Sequence, residues 1–545
     1  MVEALRLSSR WRCFAGWSLY AIALALAHNQ LPLYHTNQNT KFIFGLKDAG
    51  YGLLQEDWFA NTTDALPVFS FLVRVTYAHL HEACFYGYFA VLIGVYAYSI
   101  TGIVRTVFPH LRSRSATVVF LAFFMLIHSI VLEKASTRML GVNVRAMLGD
   151  GVAFQYVLGP VFQNCVFGVL LFLSLYWMLQ RKYFPAVAAH CSAAIFHSVY
   201  MFPAMLLTIV CMVSVAWDSR KLIKPFALGL FALLLVLPIV VYSLVQFRPT
   251  SPELHAQAMD LAVYVRNPHH SLPGLWGVDV IIFKFCIVLP SLYLARKTRL
   301  FPAMCTLFAA GVALTLVSVS LGNERLAFLM PWRMSIVLVP LSSGLLLAWV
   351  VSGASRLLKT VRSPLLPFAV PCALGVIAIL TVAGVMYQAE GAARVLSAAG
   401  QPVIQYVKEH RQAGEVYMIP PMNTDFERFR LDSGAPIIVN WKGFPQPKDT
   451  EMLEWKERMR VVYSIYYGEG DISPYLRHAA NAYGVTHAIF PADHSALSRP
   501  FPAEPFRDNA FVLVTLEGLP GGRGSATVEK NGEESSNRVR GMKNL

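Results

Sequence analysis

Residues 225–245 read Pro-Phe-Ala-Leu-Gly-Leu-Phe-Ala-Leu-Leu-Leu-Val-Leu-Pro-Ile-Val-Val-Tyr-Ser-Leu-Val, and Arg220, Lys221 and Lys224 stand just before them. An uncharged apolar run of about 20 residues is what an α-helix needs to cross the hydrocarbon of a bilayer. The basic residues at its start mark that end as cytoplasmic.

Similar runs recur on both sides of this one. They fall near 12–28, 84–104, 115–132, 161–179, 185–199, 202–217, 278–295, 301–321, 334–352 and 364–387. With the first stretch this predicts about eleven crossings. Arginine and lysine cluster in every second gap: Arg6, Arg10 and Arg12; Arg105, Arg112 and Arg114; Arg181 and Lys182; Arg296, Lys297 and Arg299; Arg356, Lys359 and Arg362. Those gaps are predicted to be cytoplasmic, with the N-terminus inside. The gaps at 29–83, 133–160, 246–277 and 322–333, and everything after Tyr387, are then extracytoplasmic. The first run also has an arginine-rich start and ends on Ala25-Leu26-Ala27, a pattern that signal peptides share. Its retention is expected, because the residues just beyond it carry candidate chemistry.

Composition agrees with a multi-pass membrane protein. Hydrophobic residues make up 55% of the 545 and charged ones 14%, at a mean hydropathy of +0.49. No soluble domain of this size hides so much apolar surface. The net charge of +14 sits largely in the short cytoplasmic gaps, where topology and anionic lipid account for it without nucleic acid. All eight cysteines lie in or beside predicted spans, so the external tail depends on neither disulfides nor a thiolate metal site.

Past about Gln401 the texture becomes that of a soluble domain, with turn signals at Pro420-Pro421 and Pro445-Gln446-Pro447. Helices are predicted at 401–413, 449–463 and 473–483, and strands at 415–419, 436–440, 485–490 and 510–516. Such mixing indicates a small α/β domain. The expected organisation is therefore a membrane domain at 1–387 with a long first external loop at 29–83, an extracytoplasmic α/β domain at 388–516, and a disordered tail at 517–545 rich in Gly, Ser, Asn and charge.

Three external constellations carry candidate chemistry. In the first loop, Glu56 and Asp57 stand between Leu53-Leu54 and Trp58-Phe59. Interfacial aromatics entering the headgroup layer would leave a carboxylate facing a cavity, able to take a proton from an acceptor hydroxyl or to hold a divalent cation against a phosphate. The bland alternative is an exposed acidic turn. Next, Arg266-Asn267-Pro268-His269-His270 offers a guanidinium fork and two imidazoles for phosphate oxygens. Adjacent histidines point their rings apart in regular structure, which disfavours shared metal ligation, and backbone hydrogen bonding is the plain alternative. Finally, Pro331-Trp332-Arg333 places an arginine at the outer end of a span, where it needs water or an anion. Asp279 and Lys284 are the conspicuous charges within a span and read as a buried pair. Phosphate-binding glycine loops, zinc-protease helices and Gly-x-Ser-x-Gly elbows are not found.

With these residues in view, the chain resembles the GT-C class of membrane glycosyltransferases, most nearly an uncharacterised bacterial multi-pass branch of it. The resemblance rests on Asn37-Gln38-Asn39, Asp57-Trp58-Phe59, Arg266-x-Pro268-His269-His270, Pro331-Trp332-Arg333 and Trp441-Lys442, and covers nearly the whole chain. It implies a polytopic α-helical GT-C-like fold and transfer of a sugar from a polyprenyl-phosphate-linked donor on the outer face of a bacterial inner membrane. The acceptor is an envelope glycan, lipid or protein that the resemblance does not identify. Asp57, or less favourably Glu56, would be the base, and Arg266, His269, His270 and Arg333 would hold the lipid phosphate. The chain has Glu-Asp where several members carry Asp-x-Asp or Glu-x-Asp, so a metal requirement does not carry over and a divalent cation is left as an option. A transporter or flippase of lipid-linked saccharides would use the same basic sites but needs a polar path through the spans. A non-catalytic scaffold of a polysaccharide assembly complex would need only the external domain.

Overall fold

The computed structural model describes residues 2–322, 324–360 and 366–516; the predicted disordered tail at 517–545 lies outside them. The chain is a multi-pass helical membrane protein. Seven helices are long and apolar enough to cross a bilayer: Cys84–Val107, Ser198–Ser219, Ile223–Gln246, Val278–Ala295, Leu300–Leu321, Leu326–Leu358 and Ala369–Leu396. The pair Arg114–His128 and Ile130–Leu140, bent by 57°, makes an eighth if it is one span. Shorter apolar helices, Phe14–His28, Asn164–Leu179 and Tyr183–Phe196, occupy the other three positions predicted as spans. Among the described residues seven or eight helices are thus long and apolar enough to cross, where hydropathy predicted about eleven crossings.

Two compact units share these residues. The first comprises Met1–Pro32, His81–Tyr242 and His269–Ala392. Within it the bend after His128 has a local cause. Ser129 is extended (φ −83, ψ 150), and its hydroxyl accepts from the Leu132 N–H, which starts a new helix instead of continuing the old one. Helices Val2–His28 and Ala369–Leu396 pack closely at Gly384, where a Cβ would stand 2.1 Å from the Leu26 carbonyl oxygen. Small residues permit such backbone approach between membrane helices. Lys284 does not pair with Asp279. The two are five positions apart on one helix, which turns their side chains to different faces. Asp279 is exposed, whereas buried Lys284 donates to the carbonyls of Ala146, Met147 and Asp150 at the end of helix Val144–Gly149, the Asp150 bond at 2.7 Å.

The second unit comprises Leu33–Leu80, Ser243–Pro268 and Ala393–Leu545. Its sheet has the order β1-β2-β4-β3, with β1 Tyr417–Met418, β2 His487–Pro491, β3 Phe506–Arg507 and β4 Phe511–Thr515. β1 and β2 are parallel, Tyr417 beside His487, and the remaining pairs are antiparallel. Helices Gln401–His410, Asp449–Tyr467 and Ser473–Tyr483 accompany it. Val403, Ile404, Val407, Phe426, Phe429, Ile489 and Leu513 form a core on the sheet.

The strand predicted at 436–440 is reduced to a single bridge between Tyr417 and Ile437. The Ile437 N–H, which faces away from β1, donates to a carboxylate, Asp57 Oδ2, at 2.9 Å. That contact explains why the first external loop, expected within the membrane domain, folds with the C-terminal segment. Leu53 N–H donates to Gly434 O at 2.7 Å, and Gly52 and Gly434 meet so closely that a Cβ on Gly52 would lie 2.5 Å from that oxygen. Thr63 donates from both its N–H and its hydroxyl to Glu451, and Thr250 does the same to Asp449.

Candidate functional site

Asp57 has no exposed surface. Its Oδ2 accepts from Arg430 Nε at 2.7 Å and from Ile437 N–H, and its Oδ1 accepts from the Ala60 N–H at 3.0 Å. Both carboxylate oxygens are thus taken up by donors of the protein, one of them a guanidinium. Every group it meets belongs to the protein, whereas a general base must reach the proton that it removes. Glu56, beside it, is exposed and accepts from the Gly414 N–H at 2.8 Å through Oε2.

The flanking aromatics do not form the expected interfacial anchor. Phe59 is buried under the Arg430 guanidinium, 5.3 Å from its ring centroid, and Trp58 lies 4.5 Å from the guanidinium carbon of Arg458. Ring faces attract such cations, and that draws both side chains into the second unit.

From Asp57 a chain of polar contacts leads to a pocket. Arg430 Nη1 donates to Asn440 Oδ1 at 3.1 Å, and the same oxygen accepts from the Gly443 N–H at 2.8 Å. Trp455 Nε1 donates to Asn440 O, and the Trp441 N–H to Pro421 O. These bonds fix the turn Asn440-Trp441-Lys442-Gly443 against Pro420-Pro421. Between them lies a cavity of about 30 Å³, whose polar lining comes from Asn423, Glu427, Asn440 and Lys442. Its volume suits a charged group of a few atoms, since one water needs about 10–15 Å³ on this scale.

Arg266 belongs to the same unit and stands beside this turn. Its guanidinium carbon is 5.3 Å from the Trp441 ring centroid and 5.9 Å from that of Phe444, and Nη2 reaches Lys442 O at 3.5 Å. Its Nε is buried and donates to nothing. Burial lowers the Arg266 pKa to about 10, although Glu427 pulls the other way. Burial likewise lowers Lys442, which feels attraction from Glu427 and repulsion from Arg266. Neither the Lys442 ammonium nor the Glu427 carboxylate has a hydrogen bond or ion pair among the described residues. Half-buried cations without anions are costly, and proteins that retain them commonly use them.

The other candidates belong to the first unit. Arg333 lies in the turn Pro331–Met334; its Nη2 points at Met330 Sδ, 2.9 Å away, and its Nε is buried without a partner. His270 Nδ1 donates to Ala153 O at 2.6 Å. His269 is exposed, with its ring 4.0 Å from that of His270, and its carbonyl accepts from Trp276 Nε1. The structure thus unites Arg266 with Lys442 and keeps His269 beside His270, while Arg333 stands in a separate turn. Among the described residues no group of three or more His, Cys, Asp or Glu side chains is placed to hold a metal ion.

A second cavity, in the first unit, of about 20 Å³ is lined by His28, Tyr96, His128, Arg145 and Asp150. His128 Nδ1 faces Phe124 O at 2.9 Å, a group that only accepts, so Nδ1 carries the proton and Tyr96 OH donates to Nε2 at 3.0 Å. Arg145 bridges Glu133 and His28 O, each at 2.9 Å. Burial pushes Asp150 above the usual carboxylate range, against the pull of Arg145 and Lys284. The space fits about one water, and these contacts tie the loop after His128 to its neighbours.

A family model described as a domain of unknown function, DUF6798, matches residues 398–462. No curated protein matches the chain in sequence. Among solved structures, the chain is similar to the crystal structure of ArnT from Cupriavidus metallidurans bound to undecaprenyl phosphate. The identity is 13% and the TM-score 0.45, over 95% of this chain and 100% of that one.

Proposed function

We propose that the chain is a membrane glycosyltransferase that moves a sugar from a polyprenyl-phosphate-linked donor to an envelope acceptor outside a bacterial inner membrane. The observation that carries this reading is the half-buried Arg266 guanidinium, clamped by Trp441 and Phe444 beside an unpaired Lys442, with an Nε that has no partner. An arginine held in one orientation by ring faces is pre-organised for a phosphate. Arg333, with its own unpartnered Nε, and the imidazoles of His269 and His270 are candidates for anion binding within the first unit.

The reaction that suits such a site breaks the bond between the sugar's anomeric carbon and the phosphate oxygen. The phosphate keeps the electron pair and gains charge, which Arg266 and Lys442 stabilise more in the transition state than in the ground state. The acceptor's oxygen bonds to the anomeric carbon, and its proton passes to a carboxylate. Of the two acids expected in that role, Glu56 faces solvent and Asp57 is enclosed. We therefore assign the proton to Glu56 and give Asp57 the task of holding Arg430 and, through it, the Asn440–Gly443 turn. The alternation of basic residues supports a cytoplasmic N-terminus and, with it, an extracytoplasmic second unit.

A transporter needs ionisable groups along a path through its spans. Lys284 instead ends on three carbonyls of one short helix, which favours the enzyme. Full-length protein in lipid nanodiscs, incubated with a panel of polyprenyl-phosphate sugars, tests the reading. Donor turnover is expected in the wild type and is expected to fall at least about 100-fold in Arg266→Ala at unchanged thermal stability. Tight binding of the carrier lipid with turnover of no donor would move the assignment to the flippase or scaffold.

A further inference from the structure

The charges in the second unit's pocket have a sum, and the sum restricts the donor. Lys442 in the lining and Arg266 beside it, against Trp441 and Phe444, contribute two positive charges, and Glu427 is the acid whose field both of them feel. Glu427 lines the cavity with Lys442, and its carboxylate has no hydrogen-bond or ion-pair partner among the described residues. The pocket together with Arg266 at its side therefore holds a net charge of about +1, with one free acceptor group on the pocket wall. A glycosyl phosphodiester carries about one negative charge and balances the pocket; a glycosyl diphosphate carries about two and meets an unneutralised carboxylate.

Resting on the reading of this pocket as the donor-phosphate site, we infer that Glu427 is a specificity-determining residue that selects monophosphate-linked over diphosphate-linked glycosyl donors. Its carboxylate accepts a hydrogen bond from a hydroxyl of the sugar next to the phosphate, and it repels a second phosphoryl group. The acceptor is free for this because Arg266 is turned to the rings of Trp441 and Phe444 instead of forking onto Glu427. Asn423 and Asn440 add amide groups to the same lining, although Asn440 Oδ1 is already taken by Arg430 and Gly443.

Two synthetic probes with the same prenyl chain and the same hexose, one joined by a phosphodiester and one by a diphosphate, separate this idea from the function it rests on. Binding of each to full-length protein in nanodiscs is measured at fixed ionic strength, because the effect is electrostatic. The wild type is expected to bind the monophosphate probe at least about tenfold more tightly, and Glu427→Gln to lose most of that ratio by gaining affinity for the diphosphate. Glu427→Asp keeps the charge and is expected to keep the preference, which guards against a trivial folding defect. Arg266→Ala weakens both probes together. Equal binding of the two probes by the wild type, or an unchanged ratio in Glu427→Gln, overturns the role of Glu427 and leaves the donor-phosphate site standing. Failure of the wild type to bind either probe removes the site itself.

Discussion

Asp57 shows how burial decides what an acidic residue does. With Arg430 it forms an enclosed ion pair whose two side chains are 0% and 3% exposed. Removing one partner of such a pair leaves the other charge uncompensated at a cost of about 3–5 kcal/mol, whereas replacing both with apolar groups of similar size is often neutral. Asp57→Asn is accordingly expected to lower the thermal unfolding midpoint of the detergent-solubilised protein sharply, and Asp57→Leu with Arg430→Met to restore most of it. An Asp57→Asn protein of wild-type stability that has lost donor turnover would return Asp57 to the role of base. The pair Glu56-Asp57 was legible as a place of interest, but which member is enclosed was not, because Arg430 lies 373 positions along the chain. Arg266 was singled out from its motif as a candidate. Its neighbours Trp441 and Lys442 were noted only as a similar segment, since their proximity depends on the tertiary fold. His35 provides a second test at this scale. Its Nε2 accepts from Arg428 Nη1 at 3.3 Å, and burial together with that cation lowers its pKa from 6.5 to about 4. The unfolded chain then binds more protons between those values, so the contribution of His35 is complete above pH 6.5 and is lost as pH falls towards 4. His35→Gln is expected to flatten the dependence of the unfolding midpoint on pH over that window and to leave it unchanged at pH 8.

Helices follow from hydropathy, but their breaks and caps do not. The apolar runs placed a helix at each predicted crossing, since an uncharged stretch in lipid has no other way to satisfy its backbone. The run predicted at 115–132 looks continuous in composition, yet the chain bends by 57° at Ser129 because one hydroxyl caps the next helix. Lys284 is a similar case. From sequence it reads as half of an ion pair with Asp279, but three carbonyls at the end of helix Val144–Gly149 hold its ammonium, matching a cation to the negative end of the helix dipole. Lys284→Met takes the donor from all three carbonyls and is expected to cost about 3 kcal/mol or more, given about 1.5–3 for each hydrogen bond to a charged group and partial rescue by water. Asp279→Asn, on the exposed side of its helix, is expected to leave the unfolding midpoint of the solubilised protein unchanged. Equal losses in the two variants would favour the pair after all.

At the scale of the whole molecule, the second unit is drawn from three distant stretches, and no window of the sequence contains it. Composition marked the change of texture near Gln401 and most of the helices and strands beyond it. It did not reveal that Leu33–Leu80 and Ser243–Pro268 complete that fold. The ties are polar and specific: Asp57 to Arg430, Thr63 to Glu451, Thr250 to Asp449, and Leu53 to Gly434. The stretch matched by the family model, 398–462, holds the C-terminal partner in each of these four contacts but none of the loop residues that complete them. Excision at Ala393 therefore leaves Arg430 buried without its carboxylate and exposes the apolar surface that the first loop covers. A segment of residues 393–516 made alone is expected to aggregate or to show poorly dispersed amide resonances. The same segment with 33–80 and 243–268 joined to it by flexible linkers is expected to give a dispersed spectrum and a cooperative melt, because it regains the ion pair and the Thr–carboxylate contacts. A well-dispersed spectrum from 393–516 alone would show that the C-terminal segment is a domain in its own right and that the first loop merely leans on it. In that case Asp57 would be free of a folding role, and any loss of turnover measured in its variants would have to be read as chemistry.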